Sequence, residues 1–323
     1  MKYTRLGRSG LKVSRLCLGT MNFGKLVPEA ECDALLNAAV EKGVNFIDTA
    51  DVYGGIGFRG RTEEIIGRWL AATPGARDAI VLATKVYAKM TDVPNDLRLS
   101  AYHIRRACEA SLRRLQTDHI DLYQMHHIDR DTPWDEIWQA MEQLVREGKI
   151  TYTGSSNFAG WHIAQAQAEA SRRNFPGLIS EQSLYNLSNR TVELEVLPAC
   201  RALGIGVIPW SPLAGGLLGG TDDPGRIVRR ANKEHQERME KHGPRVAAYN
   251  ELCARAGLQP SQVALAWLLN NPAVTAPIIG PRTLAQLESN LESLELTLTP
   301  EFLKELNTIW PGPGGEAPEA YAW

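Results

Sequence analysis

Two hydrophobic periods alternate along the chain. Short runs dominated by β-branched and aliphatic residues fall at 16–20, 45–49, 80–86, 119–127, 150–155, 178–184, 206–210 and 276–279. Their length and composition predict strands. Between them apolar positions recur three or four apart, which predicts helices over 30–42, 62–71, 101–115, 134–147, 161–172 and 193–203. Gly43, Gly148 and Gly204 stand just past three of these segments, where helices commonly end in the left-handed conformation. Thr132-Pro133 marks a helix start at Trp134.

Strand and helix in unbroken alternation imply parallel pairing. Eight such units predict an α/β protein, a single (β/α)8 TIM barrel over residues 1–323. An open doubly wound sheet fits less well, since it usually has about six strands and a glycine fingerprint after the first. Residues 3–15 alternate on either side of Gly7 to Gly10 and predict a β-hairpin that closes the barrel bottom. The polar stretch 214–243 predicts a long irregular loop at the C-terminal face. Residues 311–323 form a Pro/Gly-rich tail.

Composition removes several function classes. With 35 basic and 37 acidic residues, a net charge of -2 gives no field toward nucleic acid or an anionic membrane. No run of about 18 apolar residues predicts a membrane span, and the first residues have no signal-like core. The 5 cysteines are scattered without a C-x-x-C pair, which predicts reduced thiols and a cytoplasmic protein. No metal site is expected. His126 and His127 are adjacent, and neighbours in a strand point to opposite faces.

Gly55, Gly57 and Gly60 spell a literal G-x-G-x-x-G. Five residues separate the first of them from the strand end at Thr49, and no acid closes the next strand. A dinucleotide fingerprint needs both features. The glycines instead predict a loop at the barrel mouth, where active residues gather. Asp48 ends the second strand and Tyr53 follows it; Lys85 ends the third strand and His126 the fourth. Ala83 and Val81 share the Lys85 face and leave room for its long side chain inside the barrel. An acid beside a buried lysine keeps it charged, and an ammonium beside a phenol lowers the phenol pKa. A neutral histidine can orient a carbonyl oxygen. The set suits protonating an oxygen while hydride reaches the carbon.

At this point the chain resembles the aldo-keto reductases over nearly its whole length. Asp48-Thr-Ala-Asp-Val-Tyr53, Thr84-Lys85, Asp121-Leu-Tyr-Gln-Met-His126 and Gly154-Ser-Ser-Asn157 are similar to the family motifs, in the same order. The resemblance implies a (β/α)8 barrel that binds NADPH and transfers hydride to an aldehyde or ketone. It makes Tyr53 the acid, Lys85 and Asp48 its tuners and His126 the orienter. It implies that Ser156, Asn157 and Gln182 bond the nicotinamide carboxamide and that Trp210 stacks on the ring. Ser211, Leu213, Gly215 and Leu217 would follow the pyrophosphate, with Arg226 a further candidate. Gly280, Arg282, Gln286 and Asn290 would hold the adenosine 2′-phosphate end. The fork of Arg282 favours NADPH over NADH.

His127 replaces a tryptophan common in the family, and Ser289 stands where a glutamate near the adenine is usual. Phe23, Phe58, Tyr87 and His127 are expected to shape the substrate pocket. The motifs around His126, Ser156 and the C-terminus are similar to actinomycete-type bacterial members. That branch lies near the potassium-channel β subunits and the deoxysugar 2,3-reductases. Three readings follow: a general carbonyl reductase, a nucleotide-linked keto-deoxysugar reductase using Arg59, Arg61 and Arg130, and an NADPH-binding regulatory subunit. The expected partner is a small carbonyl compound, with homo-oligomerisation left open.

Overall fold

The computed structural model describes residues 1–55, 57–220 and 233–322. A hairpin, β1 (Tyr3–Arg5) and β2 (Lys12–Ser14), precedes eight parallel strands. These are β3 (Cys17–Gly19), β4 (Phe46–Asp48), β5 (Val81–Val86), β6 (Ile120–Met125), β7 (Ile150–Ser156), β8 (Leu178–Gln182), β9 (Gly206–Val207) and β10 (Ile278–Ile279). Each pairs with the next from β3 to β9, and β10 pairs with β3. Backbone bonds join the two end strands: Thr275 N–H to Val207 O and Ile278 N–H to Pro209 O, both 2.8 Å. The result is a (β/α)8 barrel.

The surrounding helices are α1 (Glu29–Glu41), α2 (Arg61–Ala72), α3 (Ala76–Ala79), α4 (Ala101–Leu115), α5 (Trp134–Arg146), α6 (Gly160–Arg172) and α7 (Val196–Leu203). They continue as α8 (Lys233–Arg255), α9 (Pro260–Leu269), α10 (Leu284–Glu292), α11 (Pro300–Ile309) and α12 (Glu319–Ala322). Their ends follow local chemistry. Ser100, Thr283 and Thr299 cap α4, α10 and α11 by accepting a bond from the backbone N–H three residues on. Gly43, Gly148 and Gly204 take left-handed φ values of 85°, 70° and 65°.

Two apolar layers result. Cys17, Phe46, Val81, Ala83, Leu122, Ile179, Ile208 and Ala276 fill the barrel interior. Leu6 and Val13 of the hairpin join that cluster from below, as the sequence predicts. A larger layer lies between barrel and helices. The prediction for 214–243 is corrected over its last part, because α8 begins at Lys233. Arg226 lies outside the described residues.

Candidate active site

The register of the parallel strands converges three polar side chains above the apolar floor. Asp48 pairs with Ala83, and Lys85 with Gln124. Lys85 Nζ donates to Asp48 Oδ2 (2.6 Å), Thr49 O (2.8 Å) and Tyr53 OH (3.3 Å). The second Asp48 oxygen accepts from Gln124 Nε2 (3.0 Å) and Gln182 Nε2 (2.9 Å). Lys85 is fully buried, so this complete set of partners allows its charge.

Burial alone would strip the Lys85 proton, but Asp48 and Tyr53 together outweigh it and hold the ammonium above the usual lysine range. The expectation that the phenol pKa falls is corrected. Burial dominates at Tyr53 and raises it; the Lys85 charge offsets only part of that. Burial, then the Lys85 charge, pushes His126 down to about 2, so the imidazole is neutral. Its ring meets Tyr53 edge-on at 5.9 Å. His126 and His127 do not diverge: their rings stack 5.4 Å apart at 13°. β6 ends at Met125, so strand alternation no longer governs them. Tyr87 meets His127 edge-on at 5.4 Å.

A cavity of about 1480 Å³ opens beside these groups. Asp48, Tyr53, His126 and His127 line its inner end, with Ser156, Asn157, Gln182 and Trp210 next along it. Ser211, Leu213 and Gly215 continue the wall, and Gly280, Arg282, Gln286 and Asn290 form its outer end. Asn157, at φ 59°, is a hub: it accepts from Trp210 Nε1 (3.0 Å) and donates to the His126 carbonyl (3.2 Å). Ser156 Oγ bonds Gln182 O at 2.8 Å. The Ser211 hydroxyl accepts from Gly215 N (3.1 Å), and Gln286 Oε1 accepts from Arg282 N (2.8 Å).

Some expected residues fall elsewhere. Phe23 packs fully buried in the layer under the helices and does not line the cavity. Leu217 is likewise a core residue, because its short turn points the side chain inward. Phe58 is exposed and does not line the cavity, and Tyr87, also off its lining, meets the lining residue His127. The glycine-rich loop has a steric reason: at Gly54, φ 133°, a Cβ would collide with the Phe58 carbonyl oxygen.

Three polar groups escape sequence reasoning. Gln124 braces Asp48, as above. Arg238 of α8 lines the cavity and donates to Ala214 O (3.2 Å). Glu181 sits fully buried behind the Asn157 hub, accepting from Ser155 Oγ, from Ser183 Oγ (2.7 Å) and from Phe158 N (3.1 Å). Burial outweighs those bonds and raises its carboxyl to about 7. The order Glu181-Gln182 at a strand end was the available signal.

A family model described as "Aldo/keto reductase family" matches residues 15–311. The chain is 55% identical over 327 residues to the uncharacterized oxidoreductase YrpG of Bacillus subtilis (strain 168), covering 100% of both. It is 34% identical to a versiconal hemiacetal acetate reductase of Aspergillus parasiticus, covering 95% of this chain and 96% of that one. It is also 34% identical to a probable voltage-gated potassium channel subunit beta of Oryza sativa subsp. japonica, covering 96% of each.

Proposed function

The chain belongs to the aldo/keto reductase family, and from that premise we propose that it reduces an aldehyde or ketone to the alcohol, with NADPH as hydride donor and Tyr53 as acid. The observation that carries the reading is the Asp48–Lys85–Tyr53 contact at the inner end of the cavity.

The cavity suits a dinucleotide phosphate. Its volume of about 1480 Å³ leaves room for a small substrate as well. Gly280 keeps the outer wall open, since a Cβ there would stand 3.3 Å from Asn22 Nδ2 and narrow it. Arg238 and Arg282 make that end cationic. Ser156, Asn157 and the Gln182 Oε1 would hold a carboxamide, Trp210 would pack on the ring, and Arg282 would fork onto a 2′-phosphate. When bound, NADPH supplies the hydride.

The protein residues then manage the proton. Burial keeps the Tyr53 phenol protonated, so it enters the reaction as the acid. Neutral His126 donates to the carbonyl oxygen and orients it toward the phenol. As that oxygen gains charge, Tyr53 OH yields its proton to it. The Lys85 ammonium, 3.3 Å away, stabilises the phenolate left behind. Asp48 keeps Lys85 charged throughout.

The test is NADPH absorbance loss with a reactive 1,2-dicarbonyl. Wild type should turn over, and Tyr53→Phe should lose about 10²-fold or more in kcat while still binding NADPH. Equal rates would remove Tyr53 from the acid role. NADPH binding without turnover of any carbonyl would favour the regulatory-subunit reading, which draws on the rice relative's name and on Trp210.

A further inference from the structure

The loops after β3 and β4 meet at the mouth and carry a charge imbalance. Residues 20–28 contain Lys25 and no acid; residues 49–61 contain Arg59, Arg61 and one acid, Asp51. Asp51 is buried, and burial raises its carboxyl well above the usual range, so it does not neutralise them. The two loops touch. Lys25 Cδ lies 3.8 Å from where a Gly55 Cβ would stand, and Arg61 Nε 3.1 Å from where a Gly24 Cβ would stand. The Arg61 guanidinium lies over the Phe58 ring, 5.6 Å from its centroid.

Nearby acids hold their ion pairs with other cations, although the Arg61 charge also reaches Glu29 and the Arg59 charge reaches Asp92. Glu29 pairs with Arg68, Glu63 with Arg114 and Asp92 with Lys89. Among the described residues no carboxylate lies within ion-pair distance of Lys25, Arg59 or Arg61. The same two loops expose large apolar side chains: Met21 at 55%, Leu26 at 38% and Phe58 at 59%. Met21, Lys25 and Leu26 line the cavity that Tyr53 enters. Clustered cations among exposed apolar groups at a pocket mouth fit a ligand that is apolar along its body and negative at its end.

We propose that this edge of the mouth binds an anionic end of the substrate, so that preferred substrates are aldehydes or ketones with an apolar body ending in a carboxylate or phosphate. The proposal rests on the reductase reading and deepens it. The carbonyl would sit at Tyr53 and His126, the body against Met21 and Leu26, and the anion near Lys25 and Arg61.

The experiment measures kcat/KM with NADPH for matched pairs. One pair is 4-formylbenzoate and its methyl ester; the other is 4-formylphenyl phosphate and 4-methoxybenzaldehyde. Lys25→Gln and Arg61→Gln are run beside wild type, so that intrinsic aldehyde reactivity cancels in the comparison. Wild type should favour at least one anion by about fivefold or more, the scale of a partly exposed ion pair. Added salt should shrink that preference, and the variants should bring it toward the value set by reactivity alone. The larger of the two preferences tells carboxylate from phosphate. Anion preferences equal in wild type and variants would overturn the proposal, as would weaker NADPH binding in Lys25→Gln, which would assign that cation to the cofactor. Tyr53-dependent reduction of neutral aldehydes in the same data leaves the reductase reading standing. No reduction of any aldehyde removes both.

Discussion

Lys85 directs its ammonium at three acceptors while its side chain is fully buried in the barrel. Lys85→Met would leave the Asp48 carboxylate with only the Gln124 and Gln182 amides. Breaking one side of such a buried pair costs about 3–5 kcal/mol, which urea unfolding should show as a lower midpoint together with lost activity. A wild-type midpoint would mean that Asp48 takes up a proton at little cost. Glu181 makes the opposite kind of prediction. Its carboxyl rises from an ordinary 4.5 to about 7 in the folded chain. Between those values the native state holds a proton that the unfolded chain has released. Stability therefore falls as pH rises through that window, by at most about 3 kcal/mol. Glu181→Gln cannot titrate, and its unfolding midpoint should change less between pH values on either side of the window. Identical pH profiles for the two proteins would show that Glu181 ionises freely.

The elements differ in how plainly the sequence announces them. Strand runs and the glycines after α1, α5 and α7 were legible because local propensity and tertiary position agree there. The residues of α8 from Lys233 to Gly243 read as loop, because a helix polar on most faces has no apolar stripe, and Pro244 stands inside it. The placement of Asp48, Lys85 and His126 at strand ends was legible for the same reason as the strands, since position on the barrel fixes it. Gln124 and Glu181 were not, since a buried polar side chain gains its role only from partners distant in sequence. Phe23 misled, because an aromatic in a mouth loop can face the core as readily as the cavity. The β4–α2 loop is the element on which placement of Tyr53 depends. Gly54→Ala would force its φ of 133° and its approach to Phe58 to change. We expect kcat to drop about tenfold or more, since a displacement of about 1 Å can cost 10²-fold, with a far smaller change in NADPH affinity. Equal losses of both would mean that the loop holds the cofactor instead.

At the scale of the whole molecule, the barrel separates its chemistry from its closure. The polar groups stand at the C-terminal ends of the strands, while the β1–β2 hairpin seals the opposite end with Leu6 and Val13. Gly7 presses so closely on Ile179 O and Gly204 O that a side chain there would collide, and Arg8 N bonds Gly204 O at 2.7 Å. The seal therefore ties the start of the chain to the β8 and β9 region. Phe46, Ala83 and Leu122 lie between this plug and Asp48, Lys85 and Gln124, which occupy the next inward positions along β4, β5 and β6. A packed interior resists collapse into a cavity. Leu6→Ala should thus cost about 2–5 kcal/mol in stability while the folded protein keeps the kcat and the cofactor affinity of the wild type. Urea unfolding and steady-state assays well below the melting temperature test the two halves of that expectation separately. Should kcat fall along with stability, the interior column must transmit the defect from floor to active site, and the barrel is less partitioned than its layering suggests.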